Sequence, residues 1–229
     1  MESTLHQQLK ALYGATESDR EVWVSGYRID AVTADGGLIE IQSAPLAAIR
    51  RKIAALLEEQ RQVLVVKPIA VRKQLLMRSR SGGAVESRRL SPKRGTRFEL
   101  FDELVNFIEV FPHPLLTLEV LLIEVEEHRV RTRPRGRWRR EFRVEDRCLV
   151  NVHERLMLRT ARDLARWIPI ALAAEFTTAD LASAAGIARW LAQKQAYCLR
   201  KIGAIELTGK RGNAIVYRRA ALKRRRKAA

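Results

Sequence analysis

The chain has few of the residues that form covalent or metal cross-links. Only two of its 229 residues are cysteine, Cys148 and Cys198, and no CxxC pair is present. Two isolated cysteines predict reduced thiols, and they exclude a disulfide framework or a cysteine-based zinc site. The four histidines also lack the spacing of metal ligands; they are His6, His113, His128 and His153.

Long apolar segments are absent as well. No run approaches the roughly 18 apolar residues that a membrane-spanning helix needs. The first residues, MESTLHQQLKALYG, lack the basic start and apolar block of a signal peptide. We therefore expect a cytoplasmic protein with no membrane partner, and a hydrophobic content of 47% predicts a buried core.

Negative charge is scarce over most of the chain. Residues 1–70 hold 8 basic and 9 acidic residues, whereas residues 71–229 hold 35 basic and 17 acidic residues. A cationic excess confined to one part of a chain predicts a polyanionic partner, and DNA is the expected one. The alternative is that the surplus charge serves solubility alone.

The order of elements in residues 1–70 is predicted to be αβββαβ. Ser3 is a suitable N-cap for the first helix, and Pro45 precedes the second, where apolar residues recur at helical spacing. Strands are predicted at four β-branched or apolar runs; these are EVWVSG, YRIDAV, GLIEIQ and RQVLVVKPI. Together they predict an α/β fold for this region.

Two acids interrupt the second and third predicted strands. Side chains alternate between faces along a strand, so Glu40 and Gln42 share one face. A two-residue loop would separate Asp30 from Glu40. A three-residue loop would set Asp30 opposite Gln42, and a five-residue loop would set it opposite Glu40. An odd loop, which Gly37 permits, therefore brings the two acids onto one face.

Carboxylates on one face repel each other unless a cation bridges them. Mg²⁺ or Mn²⁺ prefers oxygen ligands, so Asp30, Glu40 and the carbonyl of Ile41 form a candidate metal site. A metal there could activate water against a phosphodiester. Gln42 could orient that water, and Lys52 in the following helix could supply the positive charge that Gln42 lacks.

The order αβββαβ with D-(x)n-E-x-Q resembles the PD-(D/E)xK phosphodiesterase superfamily, the fold of many restriction enzymes and Holliday-junction resolvases. The resemblance covers residues 1 to about 70. It implies that Asp30 and Glu40 bind Mg²⁺ and that Gln42 stands where that family usually has lysine. It also implies a contribution from the first helix, where Glu2 and His6 stand. The whole chain further resembles a bacterial family of predicted nucleases that share GYRID, LIEIQ and SPKRG.

The sequence also predicts how the chain is divided into domains. A nuclease-like domain spans residues 1–90 and includes a hairpin from RKQLLMRS and VESRRL. Residues 91–158 form a mixed α+β region of unassigned role, with a helix at FELFDELVNFI and a buried apolar element at LTLEVLLIEVEE. Its Arg131–Arg147 segment contains eight arginines and is either a basic strip or a solvated edge hairpin. Residues 222–229 form a basic tail.

Residues 159–221 predict a winged helix. TTADLASAAG begins with Thr177 or Thr178 as N-cap and stops at Gly186, and a second helix and two strands follow. Trp190 and Tyr197 are expected in its core. Candidate nucleic-acid-binding residues lie on the second helix and in the turn between the strands: Arg189, Gln193, Lys194, Lys201, Lys210 and Arg211.

These features predict a metal-dependent DNA endonuclease that a winged helix targets to duplex or branched DNA, with a homodimer as a further expectation. The alternative is a catalytically silent DNA-binding protein that uses the nuclease fold as a scaffold or dimer interface. For the two acids themselves, the alternative to a metal site is a solvated sheet face on which Arg28 is the ion-pair partner of Asp30 and Glu40. A weaker alternative is a factor that processes RNA.

Overall fold

A computed structural model describes residues 3–13, 20–132 and 141–221. Glu2, Gly14, much of the Arg131–Arg147 segment and the tail 222–229 lie outside the described residues. The chain divides into two compact units. The first contains the residues up to Ser43, Gln62–Arg97 and Glu119–Leu156. The second contains Ala44–Arg61, Phe98–Leu118 and the residues from Met157 onward.

A large mixed sheet dominates the architecture. Its strands are β1 (Arg20–Val24), β2 (Tyr27–Val32), β3 (Leu38–Ile41), β4 (Val63–Arg78), β5 (Ser87–Leu90), β6 (Leu116–Arg131) and β7 (Phe142–Leu158). The order is β1-β2-β3-β4-β6-β7, and β5 pairs with β4. Strands β1 to β3 pair in antiparallel fashion, whereas β3 and β4 are parallel. A parallel pair needs a crossover connection, and a helix supplies it here.

Six α-helices occur in the described residues. They are α1 (Thr4–Ala11), α2 (Arg50–Glu58), α3 (Leu100–Leu104), α4 (Ala161–Ala165), α5 (Thr178–Ala185) and α6 (Arg189–Lys201). The order of α1, β1, β2, β3, α2 and β4 confirms the predicted αβββαβ. Ser3 caps α1, and Thr177 caps α5 through a reciprocal bond with Asp180. Gly186 ends α5 with φ +63°, a conformation that favours glycine. No described helix is long and apolar enough to cross a membrane.

The core of the first unit lies between α1 and one face of the sheet. Leu5 and Leu9 of α1 belong to the same buried cluster as Ile39, Ile41 and residues of β4 and β6. Burial of such side chains stabilises the fold by about 1.5–3 kcal/mol each. Leu12, which the sequence places on the same stripe, is exposed because the helix ends at Ala11.

The second unit contains a three-stranded sheet. Its strands are β8 (Glu175–Phe176), β9 (Ile205–Arg211) and β10 (Ala214–Arg219), in the order β8-β10-β9. The ring of Trp167 packs edge-to-face against Phe101 at 5.8 Å, and Phe176 lies beside Tyr217. Pro169 lies beyond the end of α4, as the inability of proline to continue a helix predicts.

Two elements differ from the sequence predictions. RQVLVVKPI and RKQLLMRS are one strand, β4, rather than two. Pro68 is tolerated within it because the pairing with β3 ends at Val66 and the pairing with β5 begins at Gln74. The helix expected at FELFDELVNFI is shorter: a 3₁₀ turn at Arg97–Glu99 leads into α3, and turns follow it.

Candidate functional site

The hairpin of β2 and β3 fixes the relation between the two predicted acids. Ala31 pairs with Ile39 and Val32 with Leu38, so five residues, 33–37, form the loop. Gly36 has φ +81°, and its N–H donates to the carbonyl of Thr33. The same register, continued by one residue, sets Asp30 opposite Glu40. Of the alternatives left open by the sequence, the five-residue loop is the one observed.

Asp30 is enclosed by donors. Nε2 of His6 lies 3.0 Å from its Oδ1, and Nζ of Lys10 lies 3.2 Å from the same atom. The backbone N–H of Ile41 donates to Oδ2 at 2.8 Å. Burial opposes ionisation, but the hydrogen bonds from His6 and Ile41 and the charges of His6 and Lys10 outweigh it, so the pKa of Asp30 is lowered. The carboxylate therefore stays ionised at neutral pH.

The predicted role of Arg28 is wrong. Its guanidinium pairs with Glu21, which also accepts from Lys10 at 3.1 Å, and not with Asp30. The side chain of Asp30 is only 17% exposed and Glu40 is buried. The two acids therefore do not lie on a solvated face, and Lys10 and His6 of α1 lie beside Asp30.

A buried polar row continues from Glu40 on the neighbouring strands. Glu40 pairs with Val65 and Ile41 with Val66 in the parallel ladder, and the same register sets Gln42 beside Lys67. Glu40, Gln42 and Lys67 are each less than a tenth exposed. Buried polar groups are costly unless they are compensated, so such a row indicates a specific role. Lys67 interrupts the apolar run VLVV, and that interruption is the signal by which the sequence could have revealed it.

The remaining predicted ligands are placed as follows. Ile41 presents its N–H to Asp30, and Nε2 of His6 lies 3.0 Å from Oδ1 of the same carboxylate. Lys52 lies on α2, which belongs to the second unit, whereas the two acids belong to the first. In residues 3–13, 20–132 and 141–221, no three His, Cys, Asp or Glu side chains form a group that could hold a metal.

A second candidate site lies on the outer face of α6. Arg189, Gln193 and Lys201 are exposed, and Lys194 is half-buried and pairs with Asp102 of α3. Inward-facing residues of the same helix, Leu191 and Leu199 among others, are buried. The helix thus presents a polar and basic face to solvent.

Trp190 and Tyr197 lie on this exposed face, so the expectation that they belong to the core is wrong. Trp190 is 51% exposed and Tyr197 is 38% exposed. The ammonium of Lys194 lies 5.2 Å from the Trp190 ring centroid, and that of Lys201 lies 5.9 Å from Tyr197. Helical spacing alone cannot place an aromatic residue in the core, because the other apolar residues of the helix can form the buried stripe by themselves. Aromatic rings beside cations form a surface suited to nucleic-acid bases and phosphates.

The hairpin of β9 and β10 carries the other predicted contacts. Lys210 and Arg211 are the last residues of β9, paired with Ile215 and Ala214, so they precede the turn rather than form it. Both are exposed. In the described part of the chain, no carboxylate lies within ion-pair distance of Arg189, Lys201 or Lys210.

Comparison with known proteins places the chain in a family. Residues 3–159 match the sequence pattern of a family described as a domain of unknown function (DUF8091). The chain belongs to this family. A Treponema pallidum (strain Nichols) protein, described as an uncharacterized protein, is 30% identical over 220 residues, which cover 95% of this chain and 85% of the relative. No solved structure matches the chain.

One of the two candidate sites lies within the region that matches the family, and the other lies beyond it. Residues 3–159 include Asp30, Glu40, Gln42 and Lys67, whereas α6 and the β9–β10 hairpin follow that region. The similarity to the Treponema protein extends over nearly the whole chain and so over both units.

Proposed function

We propose that the chain binds DNA through the exposed face of α6 and the β9–β10 hairpin. The order β8, α5, α6, β9, β10 fits a winged helix, in which the second helix enters a groove and the hairpin lies along the backbone. The observation that carries the proposal is the row of exposed cations that have no acidic partner in the described residues. Such cations neutralise phosphates and release counterions.

The test uses full-length protein and a fluorescent duplex at fixed salt. The triple variant R189Q, K201Q and K210Q removes three exposed charges from this face. Each charged contact contributes about 1.5–3 kcal/mol, so we expect binding to weaken at least a hundredfold. The control R88Q, R89Q and K93Q removes the same charge from exposed positions of the first unit. Equal affinity of both variants would reject the proposal.

A second function, metal-dependent phosphodiester hydrolysis, is favoured by the first unit. The proposal is supported by the opposed Asp30 and Glu40 and by the buried row that ends at Lys67, which resemble the PD-(D/E)xK pattern, and by the αβββαβ order, whose α2 connects the strands of this unit. The donor set suits Mg²⁺ or Mn²⁺, since both groups are carboxylates and Asp30 is held ionised. Asp30 and Glu40 would hold the metal, which would polarise the phosphate.

The residues around these acids have distinct roles in that proposal. Lys10 compensates the charge of Asp30, and the hydrogen bond with His6 helps to keep the carboxyl group ionised. Lys67, which lies beside Gln42 by register, supplies the positive charge that the amide cannot. Electrostatic stabilisation of this kind is worth about 10²–10³ in rate at a single contact.

Nicking of a supercoiled plasmid with Mg²⁺, Mn²⁺ or EDTA tests hydrolysis. We expect metal-dependent nicking by the natural chain and none by D30N, at equal DNA occupancy. Nicking that persists in D30N would reject Asp30 as a metal ligand. Tight DNA binding without nicking on supercoiled, linear, single-stranded and branched substrates would instead favour the silent scaffold.

A further inference from the structure

Three cations surround one buried carboxylate on β6, which is a different group from the acids of the β2–β3 hairpin. Glu127 is 3% exposed, and its Oε2 accepts from Nζ of Lys73 at 3.0 Å and from Nε of Arg147 at 2.9 Å. Its Oε1 accepts from Nη2 of Arg129 at 2.6 Å. Lys73, Glu127 and Arg147 lie on three different strands of the large sheet, so the fold itself assembles the cluster.

The cluster carries an excess of positive charge. Burial opposes ionisation of Glu127, but hydrogen bonds from Lys73, Arg129 and Arg147 outweigh it and lower its pKa to about 2. A single negative charge therefore faces three positive ones at neutral pH. Partly buried charge without compensation is unfavourable, so a second anion would stabilise the arrangement.

A cavity of about 190 Å³ opens beside two of these cations. Lys73, Arg147 and Ser43 supply polar groups to its lining, and Leu5, Ile123 and Val125 supply apolar ones. None of the residues that line it is acidic. In the described residues, Lys73 and Arg147 each make one side-chain hydrogen bond, to Glu127. Both side chains therefore retain donors for a ligand.

We propose that this cavity binds a small organic anion, with its phosphate or carboxylate on Lys73 and Arg147 and a short apolar body against Leu5, Ile123 and Val125. Arginine and lysine are the usual partners of such groups. The volume lies below the range of about 300–1,000 Å³ that encloses drug-sized ligands, so the ligand is smaller than these. The proposal is independent of the DNA-binding surface and of Asp30.

Isothermal titration of the full chain with butyl phosphate tests the proposal, with butyrate and inorganic phosphate as further probes. We expect saturable one-to-one binding of butyl phosphate that is tighter than binding of inorganic phosphate, because only the ester fills the apolar part. R147Q should weaken it about tenfold or more. R143Q, an exposed position on the same strand, should leave it unchanged. Ala70 also lines the cavity, so A70L should fill it without altering charge and should abolish binding.

Circular dichroism of each variant controls for folding. Equal binding by R147Q and R143Q, or no saturation up to about 10 mM ester, would overturn the proposal. Binding that A70L leaves intact would also contradict it. Competition with duplex DNA separates two sources of the anion. If DNA displaces butyl phosphate from the natural chain but not from R147Q, the ligand is a phosphate of the DNA backbone. If DNA displaces none, the ligand is a free ester or carboxylate.

Discussion

The charged clusters that distinguish the two units differ in how far they are exposed to solvent. In the first, Asp30 and Glu127 are almost enclosed; Asp30 lies beside Lys10 and accepts a hydrogen bond from His6, and Glu127 lies beside three cationic side chains. In the second, Arg189, Lys201 and Lys210 are exposed and have no acidic partner in the described residues. A buried carboxylate needs nearby cations to stay ionised, whereas an exposed cation without a partner can serve a polyanion. The same charged residue types therefore form internal clusters around Asp30 and Glu127 and an exposed basic face on α6 and β9, which we propose as the DNA-binding surface.

The largest effect should follow from removing the buried partner of three cations. E127Q leaves Lys73, Arg129 and Arg147 without their carboxylate, and breaking such a buried pair costs about 3–5 kcal/mol in the free energy of unfolding. E154Q, at an exposed position of β7, should change it by less than about 0.5 kcal/mol. Urea unfolding at pH 7 measures both. Similar values for the two variants would show that the Glu127 cluster contributes little to stability.

The contribution of the Glu127 cluster to the free energy of unfolding should be lost at low pH. Because the folded-state pKa of Glu127, about 2, lies below its ordinary value of 4.5, the associated stability is fully present above about pH 4.5 and is lost as pH falls towards 2. The shift corresponds to about 3 kcal/mol. Urea midpoints measured from pH 6 to pH 2.5 should fall more steeply for the natural chain than for E127Q. Parallel curves would contradict the assignment.

Substitutions of Lys67 and Lys52 distinguish which lysine supplies the positive charge in the proposed hydrolysis. K67M should lower the nicking rate about a hundredfold, because Lys67 lies beside Gln42 in the register of β3 and β4. K52A, on α2, should leave the rate near that of the natural chain. The measurement is single-turnover nicking of saturated plasmid by each variant. A larger loss in K52A than in K67M would return the role to Lys52, as the sequence alone suggested.

The smallest effect concerns an exposed ring. W190A should change the free energy of unfolding by less than about 0.5 kcal/mol, since half of the side chain is already in water. It should nevertheless weaken nucleic-acid binding by about 1–3 kcal/mol if the ring stacks on a base. Anisotropy titrations and urea melts on one preparation separate the two effects. Loss of stability with unchanged binding would make Trp190 a packing residue.

The sequence predicts local features of this molecule well. The αβββαβ order, a threonine cap at position 177 or 178 and the Gly186 stop all follow from short-range rules, and the structure has the order, the stop and Thr177 as the cap. Whether Asp30 and Glu40 lie opposite each other depends on the length of the loop between β2 and β3. The sequence allowed loops of two, three or five residues and did not decide among them.

The sequence could not identify contacts between residues that are far apart along the chain. The charge of Lys10 beside Asp30 comes from α1, and two of the three charges around Glu127 come from β4 and β7, so both clusters depend on how distant segments meet. Trp190 and Tyr197 were misassigned for a related reason. A helix shows which residues share a face, but only its tertiary neighbours determine which face is covered.

The salt dependence of DNA binding tests the central claim most directly, namely that exposed cations of the second unit carry the interaction. The logarithm of the binding constant falls linearly with the logarithm of salt concentration, by about 0.9 per phosphate neutralised. We expect R189Q, K201Q and K210Q together to reduce that slope by about 2.7, and R88Q, R89Q and K93Q together to leave it unchanged. An unchanged slope in the first triple variant, or equal reductions in both, would contradict the account.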